Sequence, residues 1–158
     1  PLVKDPDVQI RRQTTLAIGK LIGDKIPANK VVDFGQVSST DVVAAIVPLL
    51  KDNDKMIRIY AGQTLGKLGS TAGFDPIIVL LKDPDTMIRG NAARALGEIG
   101  DKRAIPELEK SLADSSEHVK NAANLALGFL GWKPGPPATE KKPETPTKPK
   151  PKSKKPTP

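Results

Sequence analysis

Few residues in this chain could do chemistry: one histidine, His118, and eighteen carboxylates, with no cysteine. A Ser-His-Asp arrangement would have to use His118, which lies just after Asp114-Ser115-Ser116. A lone histidine beside such a turn is most often a surface residue. Without cysteine there is no disulfide, no thiol nucleophile and no cysteine metal site. No His/Asp/Glu set has metal-ligand spacing. The glycines do not cluster as a G-x-G-x-x-G or G-x-x-x-x-G-K phosphate loop. The sequence therefore points to no catalytic residue, no metal and no cofactor.

Many of the carboxylates belong to one recurring turn. It reads Asp5-Pro6-Asp7, Asp52-Asn53-Asp54, Asp83-Pro84-Asp85 and, degraded, Asp114-Ser115-Ser116. Six residues after each leading Asp stands a base: Arg11, Arg58, Arg89, Lys120. Fourteen after it stands a glycine: Gly19, Gly66, Gly97, Gly128. The last three turns are 31 residues apart, at 52, 83 and 114. A fixed period of this size marks a solenoid, in which each unit buries its apolar face against its neighbours.

The elements that carry the turn are helices. Positions five, nine, twelve, thirteen and sixteen from each leading Asp are mostly apolar or small: Ile57, Ala61, Thr64, Leu65 and Leu68 in one unit, Ile88, Ala92, Ala95, Leu96 and Ile99 in the next. That spacing is one face of a helix. This helix, B, follows a shorter helix, A, expected over 41–50, 74–81 and 103–112. In Asp-Pro-Asp the proline costs no needed donor at a helix start, and the second Asp can cap helix B. Gly23, Gly69, Gly100 and Gly131 should stop the B helices. An interior glycine costs about 1 kcal/mol relative to Ala, so four at position fourteen call for close contact with the neighbouring repeat.

These residues resemble the short bacterial HEAT-like repeats named after phycobilisome lyases. The fullest match runs Leu80-Leu81-Lys82-Asp83-Pro84-Asp85, Ile88-Arg89, Ala92 to Gly97 and Gly100 to Leu108, and the likeness covers 2–131. It implies a right-handed superhelix of antiparallel helix pairs, used mostly to bind other proteins. It also implies a structural ladder between units from Asp52, Asp83 and Asp114 with Arg58, Arg89 and Lys120. Some such proteins are chromophore lyase subunits. Others hydroxylate deoxyhypusine with metal held by His-Glu pairs, a chemistry not carried over to a chain whose one histidine reads Glu117-His118.

The expected fold is thus an all-α solenoid of about 3.5 HEAT-like hairpins over 1–132: a partial repeat 1–23, an inserted loop 24–40, and repeats 41–69, 70–100 and 101–132. Ser39 or Thr40 should cap the helix after the loop. The loop holds Lys25, Lys30, Val31, Val32 and Phe34 and either covers the core edge or touches a partner. Residues 133–158 hold nine Pro and eight Lys and no large apolar side chain, a composition that cannot bury a core and should be disordered. Of the net charge of +7, +6 belongs to this tail, leaving +1 for residues 1–132. Opening on Pro1 rather than Met fits a fragment or processed product.

Positions eight, eleven and fifteen lie opposite the core face of helix B and should line a concave binding groove: Tyr60, Gln63, Lys67, Asn91, Arg94 and Glu98. In the last unit the same places are Ala122, Leu125 and Phe129, followed by Trp132. An apolar end is unusual where an array must cap itself. It suggests a patch over which the tail folds back, a self-association surface or a partner's docking site, or in the case of Trp132 simply the closure of the last core. The function read here is a non-enzymatic scaffold binding another protein on one of these surfaces. The alternatives are a protein anchored to nucleic acid or an anionic surface by its basic tail in salt-sensitive contacts, and a subunit of a bilin lyase-type complex. No apolar run is long enough for a transmembrane helix. The compartment stays open, with the cytoplasm favoured.

Overall fold

The computed structural model describes residues 2–25 and 39–133. Seven α-helices follow in order: α1 Val8–Lys25, α2 Ser39–Ile46, α3 Lys55–Lys67, α4 Phe74–Ile78, α5 Thr86–Ile99, α6 Ile105–Ser111 and α7 Glu117–Phe129. Short 3-10 turns extend the A helices, Val47–Lys51 after α2, Val79–Lys82 after α4 and Lys102–Ala104 before α6. There is no strand among the described residues. The insertion residues Lys30, Val31, Val32 and Phe34 and the tail from 134 onward lie outside them.

The repeated turn builds itself from its own carboxylates. Asp52, Asp83 and Asp114 each accept, on Oδ1, the N–H two residues on, at 2.9, 3.0 and 2.8 Å. The second Asp then caps the B helix: Asp54 accepts from Ile57 N–H at 3.1 Å and Asp85 from Met87 N–H at 2.8 Å. Ser116, in that place before α7, makes no such bond. A side-chain cap contributes about 1 kcal/mol, so the degraded fourth turn lacks a local support that the others have.

The B helices end where glycine takes the left-handed conformation. Gly69 and Gly131 have φ of 76° and 70°. The residue after each donates its N–H back into the helix, Ser70 to Leu65 and Trp132 to Leu127, at 2.9 and 3.0 Å. That closes the orphan carbonyls. Gly23 does not stop α1, which runs on to Lys25. Ser39 and Thr40 are the first two residues of α2.

The B helices α1, α3, α5 and α7 stack side by side, each touching the next, with the A helices packed against them. The core has two parts that meet at α3. One gathers Ile57, Ala61 and Leu65 with Ile46, Leu49 and Leu50. The other takes Ile59 with Ile77, Leu96, Leu108 and Leu127, among others. Each buried Leu or Ile contributes about 2 kcal/mol by leaving water. Because the inner B helices α3 and α5 touch the A layer on one side and a B helix on each flank, the seams between B helices matter as much as the A–B core.

Candidate functional site

Two devices join successive B helices. The first is a ladder of ion pairs along the turns. Arg11 donates through Nε and Nη2 to both oxygens of Asp52 at 2.8 and 3.1 Å, while Nη1 holds the carbonyls of Asp5 and Pro6. Arg89 repeats this on Asp114 at 2.8 and 2.9 Å, with Nη1 on the carbonyls of Asp83 and Pro84. A bidentate guanidinium–carboxylate pair fixes orientation as well as charge. Arg12 forks onto Asp54 in the same way.

The middle rung differs from the expected pairing. Arg58 keeps the backbone half of the pattern, to the Asp52 carbonyl at 2.6 Å, but Asp83 is held by Lys55 at 2.5 Å. Lys120 pairs within its own helix with Glu117 at 2.6 Å. The direct rungs on the leading Asp of each turn are therefore Arg11–Asp52, Lys55–Asp83 and Arg89–Asp114, each from one unit to the next, with Arg12–Asp54 beside the first. Arg11 was missing from the expected set although it stands six after Asp5 like the other bases. Hydrogen bonds from Arg89 and the Ser116 N–H hold Asp114 below the usual carboxylate range. Lys55 does the same for Asp83. At Asp52 burial pushes upward, but Arg11 and the Asp54 N–H outweigh it and the net shift is down.

The second device is the glycine seam. A methyl group on Gly19 would lie 2.7 Å from Thr64 Oγ1; on Gly66, 2.8 Å from Ile99 Cα; on Gly97, 2.7 Å from Ala126 Cα. At each place the following B helix comes too close for any side chain. Gly128 occupies the same position in α7, and nothing lies within 4 Å of a methyl group there.

The expected polar groove is largely engaged with itself. Gln63 is buried and donates to Glu98 Oε1 across the α3–α5 seam at 3.4 Å. Lys67 donates to the Gly19 carbonyl across the α1–α3 seam at 3.3 Å. Asn91 bonds the Met87 carbonyl of its own helix at 2.9 Å. Tyr60 is half-buried in a shallow cleft with Leu16, Lys20 and Lys67. Arg94 stays exposed, 3.7 Å from Glu98. Positions eleven and fifteen meet across the seams, so they are not simply opposite the core.

The C-terminal end is unlike this. Leu125 is 59% exposed and Phe129 66% exposed, and Gly128 between them is exposed as well. With Asn124 and Trp132 they line one open depression. Ala122, expected beside them, is buried in the core instead. Trp132 is half-buried against that core, and its indole N–H donates to Glu109 at 2.7 Å. His118 lies against the backbone of Gly90, where a methyl group would come within 2.4 Å of its ring. No group of three His, Cys, Asp or Glu able to hold a metal occurs among the described residues. Nor is any described helix long and apolar enough to cross a membrane.

Stacked helical hairpins joined by an ion-pair ladder and close glycine seams define an α-solenoid. Residues 43–128 match the family model of HEAT repeats, and the chain belongs to that family. Among solved structures it is similar to the complex of CpcE and CpcF of phycocyanin lyase from Nostoc sp. PCC7120, at 24% identity and a TM-score of 0.58 over 82% of this chain. It spans about half of that chain, 51%. It is also similar to an engineered protein at 20% identity and a TM-score of 0.57, over 82% of this chain and 59% of that one. At such identities the likeness is one of fold. No curated protein matches the chain.

Proposed function

We propose that this chain is a non-enzymatic protein-binding scaffold whose docking surface is the C-terminal edge of the B-helix layer: Leu125, Gly128 and Phe129. One observation carries the reading. The glycine that receives the next helix at Gly19, Gly66 and Gly97 is kept at Gly128, where it faces open space between two exposed apolar side chains. An interior glycine with no close contact costs helix stability, and exposed Leu and Phe on an array end invite association. A partner helix seated there would use all three. The Tyr60–Arg94 surface is the weaker site, because Gln63, Lys67, Asn91 and Glu98 already make hydrogen bonds within the chain.

The test compares proteins captured by the full chain, by Leu125→Asp/Phe129→Asp and by Tyr60→Ala/Arg94→Ala, each at low and high salt. Partners lost only with the first variant, and kept at high salt, support the edge. Partners that ignore it but vanish with salt would move the function to the basic tail. A second reading, a subunit of a bilin lyase-type complex, is supported by the structural likeness to the phycocyanin lyase complex. Pigment recovered with the captured partner would favour it.

A further inference from the structure

The turns carry a second row of carboxylates, and one place in it lacks its cation. Asp54 and Asp85 stand at the same point of successive turns, each capping its own helix B. Arg12 forks from α1 onto both oxygens of Asp54. The residue in Arg12's place one unit on is Ile59, which is wholly buried in the core. Asp85 therefore takes the Met87 N–H at 2.8 Å and stays exposed. Of Asp52, Asp54, Asp83, Asp85 and Asp114, it alone has no cation on it among the described residues. The nearby bases are occupied. Lys55 is on Asp83 at 2.5 Å, Arg58 lies on the carbonyls of Asp52 and Asn53, and Arg89 is taken up by Asp114 and two carbonyls. Asp85 helps to line an open depression with Arg12, Asp54, Lys55, Met56 and Ile88. Met56 is half-buried against the core, and Met87, two residues from Asp85, is 57% exposed. Methionine side chains make an apolar surface that adapts to what it meets.

We infer that this depression is a second docking surface, and that it takes a partner protein's segment presenting one arginine beside an apolar residue. The guanidinium forks onto Asp85 as Arg12 forks onto Asp54, and the apolar residue lies on Met56 and Met87. The chain supplies its own precedent for the ligand, since arginine holds Asp52, Asp54 and Asp114 in the same two-pronged way. A planar guanidinium matches a carboxylate at two points, which a lysine ammonium cannot do. The charges also call for a cation. Arg12 and Lys55 in the lining are each on a carboxylate already, which leaves Asp85 uncompensated. The surface belongs to the inner seams α1–α3 and α3–α5 and not to the α7 edge. It goes beyond the docking reading above and does not depend on it.

The experiment selects short random peptides displayed on phage against the full chain, with counter-selection on Asp85→Asn. Asparagine caps a helix about as well as aspartate, so the variant keeps its fold and loses only the charge. The enriched peptides should carry an arginine next to a leucine, isoleucine, methionine or phenylalanine. The tightest of them is then titrated by calorimetry. It should bind Asp85→Asn about fivefold more weakly than the wild type, the loss expected of one exposed two-pronged ion pair. Lysine in place of its arginine should weaken it as well, as should Met87→Ser on the chain. Leu125→Asp/Phe129→Asp should leave its affinity unchanged. A selection that enriches no peptide, or only peptides without a basic residue, overturns the inference. So does an arginine peptide that binds Asp85→Asn as tightly as the wild type, or that binds as tightly with lysine in place of its arginine. Peptides lost with Leu125→Asp/Phe129→Asp and kept with Asp85→Asn also overturn it, and support the α7 edge instead.

Discussion

The α5–α7 seam and the outer edge of α7 are built from the same repeat and meet different fates. In the seam Gly97 lies against Ala126, Arg89 forks onto Asp114, and Leu127 is wholly buried. At the edge, Gly128 faces open space, Lys120 folds back onto Glu117, and Leu125 and Phe129 stand exposed. An array end that had become polar would be capped. This one keeps the residues of an interior seam, which is how a surface prepared for another helix would look.

Substitutions can break or sharpen this contrast. The largest difference should separate two leucines on α7. Leu127→Ala leaves a cavity in the core and should cost about 3 kcal/mol, while Leu125→Ala should stay within about 0.5 kcal/mol because its side chain is mostly in water. Urea denaturation of both variants checks this, and equal losses would mean that the edge is packed. Next, Gly97→Ala pushes a methyl group against the α7 backbone and should cost about 2 kcal/mol by overpacking. Gly66→Ala should behave alike, because it meets Ile99 Cα and the Glu98 carbonyl.

Acid should loosen the seams next. Asp52, Asp83 and Asp114 have their pKa values lowered in the folded chain. A lowered folded value means that stability is fully present above the unfolded value, near 4. It is lost as pH falls through the folded values. Thermal melting points should therefore be flat from neutral pH to about 5 and drop below about 4. Asp114→Asn should lower the neutral-pH melting point and flatten part of the acid slope. An unchanged slope in that variant would show that its rung contributes nothing.

Much of the fold was legible because the repeat states it three times over. Asp-x-Asp placed the turns, Gly69, Gly100 and Gly131 placed the B-helix ends, and the apolar spacing placed the A–B core. The reading went astray where a neighbour rather than the helix itself decides. Gln63 and Lys67 looked free because a single helix has one core face, but a stacked B helix also has two flanks. Ala122 sat at a nominally outer position, yet a side chain so small is covered by what surrounds it. Asp83 takes Lys55 rather than Arg58, a choice made by reach across the seam that no spacing rule encodes. Gly23 matched the stop signal in type but not in conformation, and α1 ran past it. The exposed apolar end was half legible: Leu125 and Phe129 broke the polar pattern in the sequence, whereas the open side of Gly128 needed three occupied examples beside it.

One paired measurement tests the central claim most directly: the unfolding free energies of Gly97→Ala and Gly128→Ala in urea. The two changes are chemically identical and fall at the same repeat position. With space at Gly128, its methyl group should stabilise the helix by about 1 kcal/mol, while Gly97→Ala loses stability, so the two effects have opposite signs. Comparable losses at both positions would contradict the account, because they would mean that Gly128 is already packed and that α7 presents no open seam.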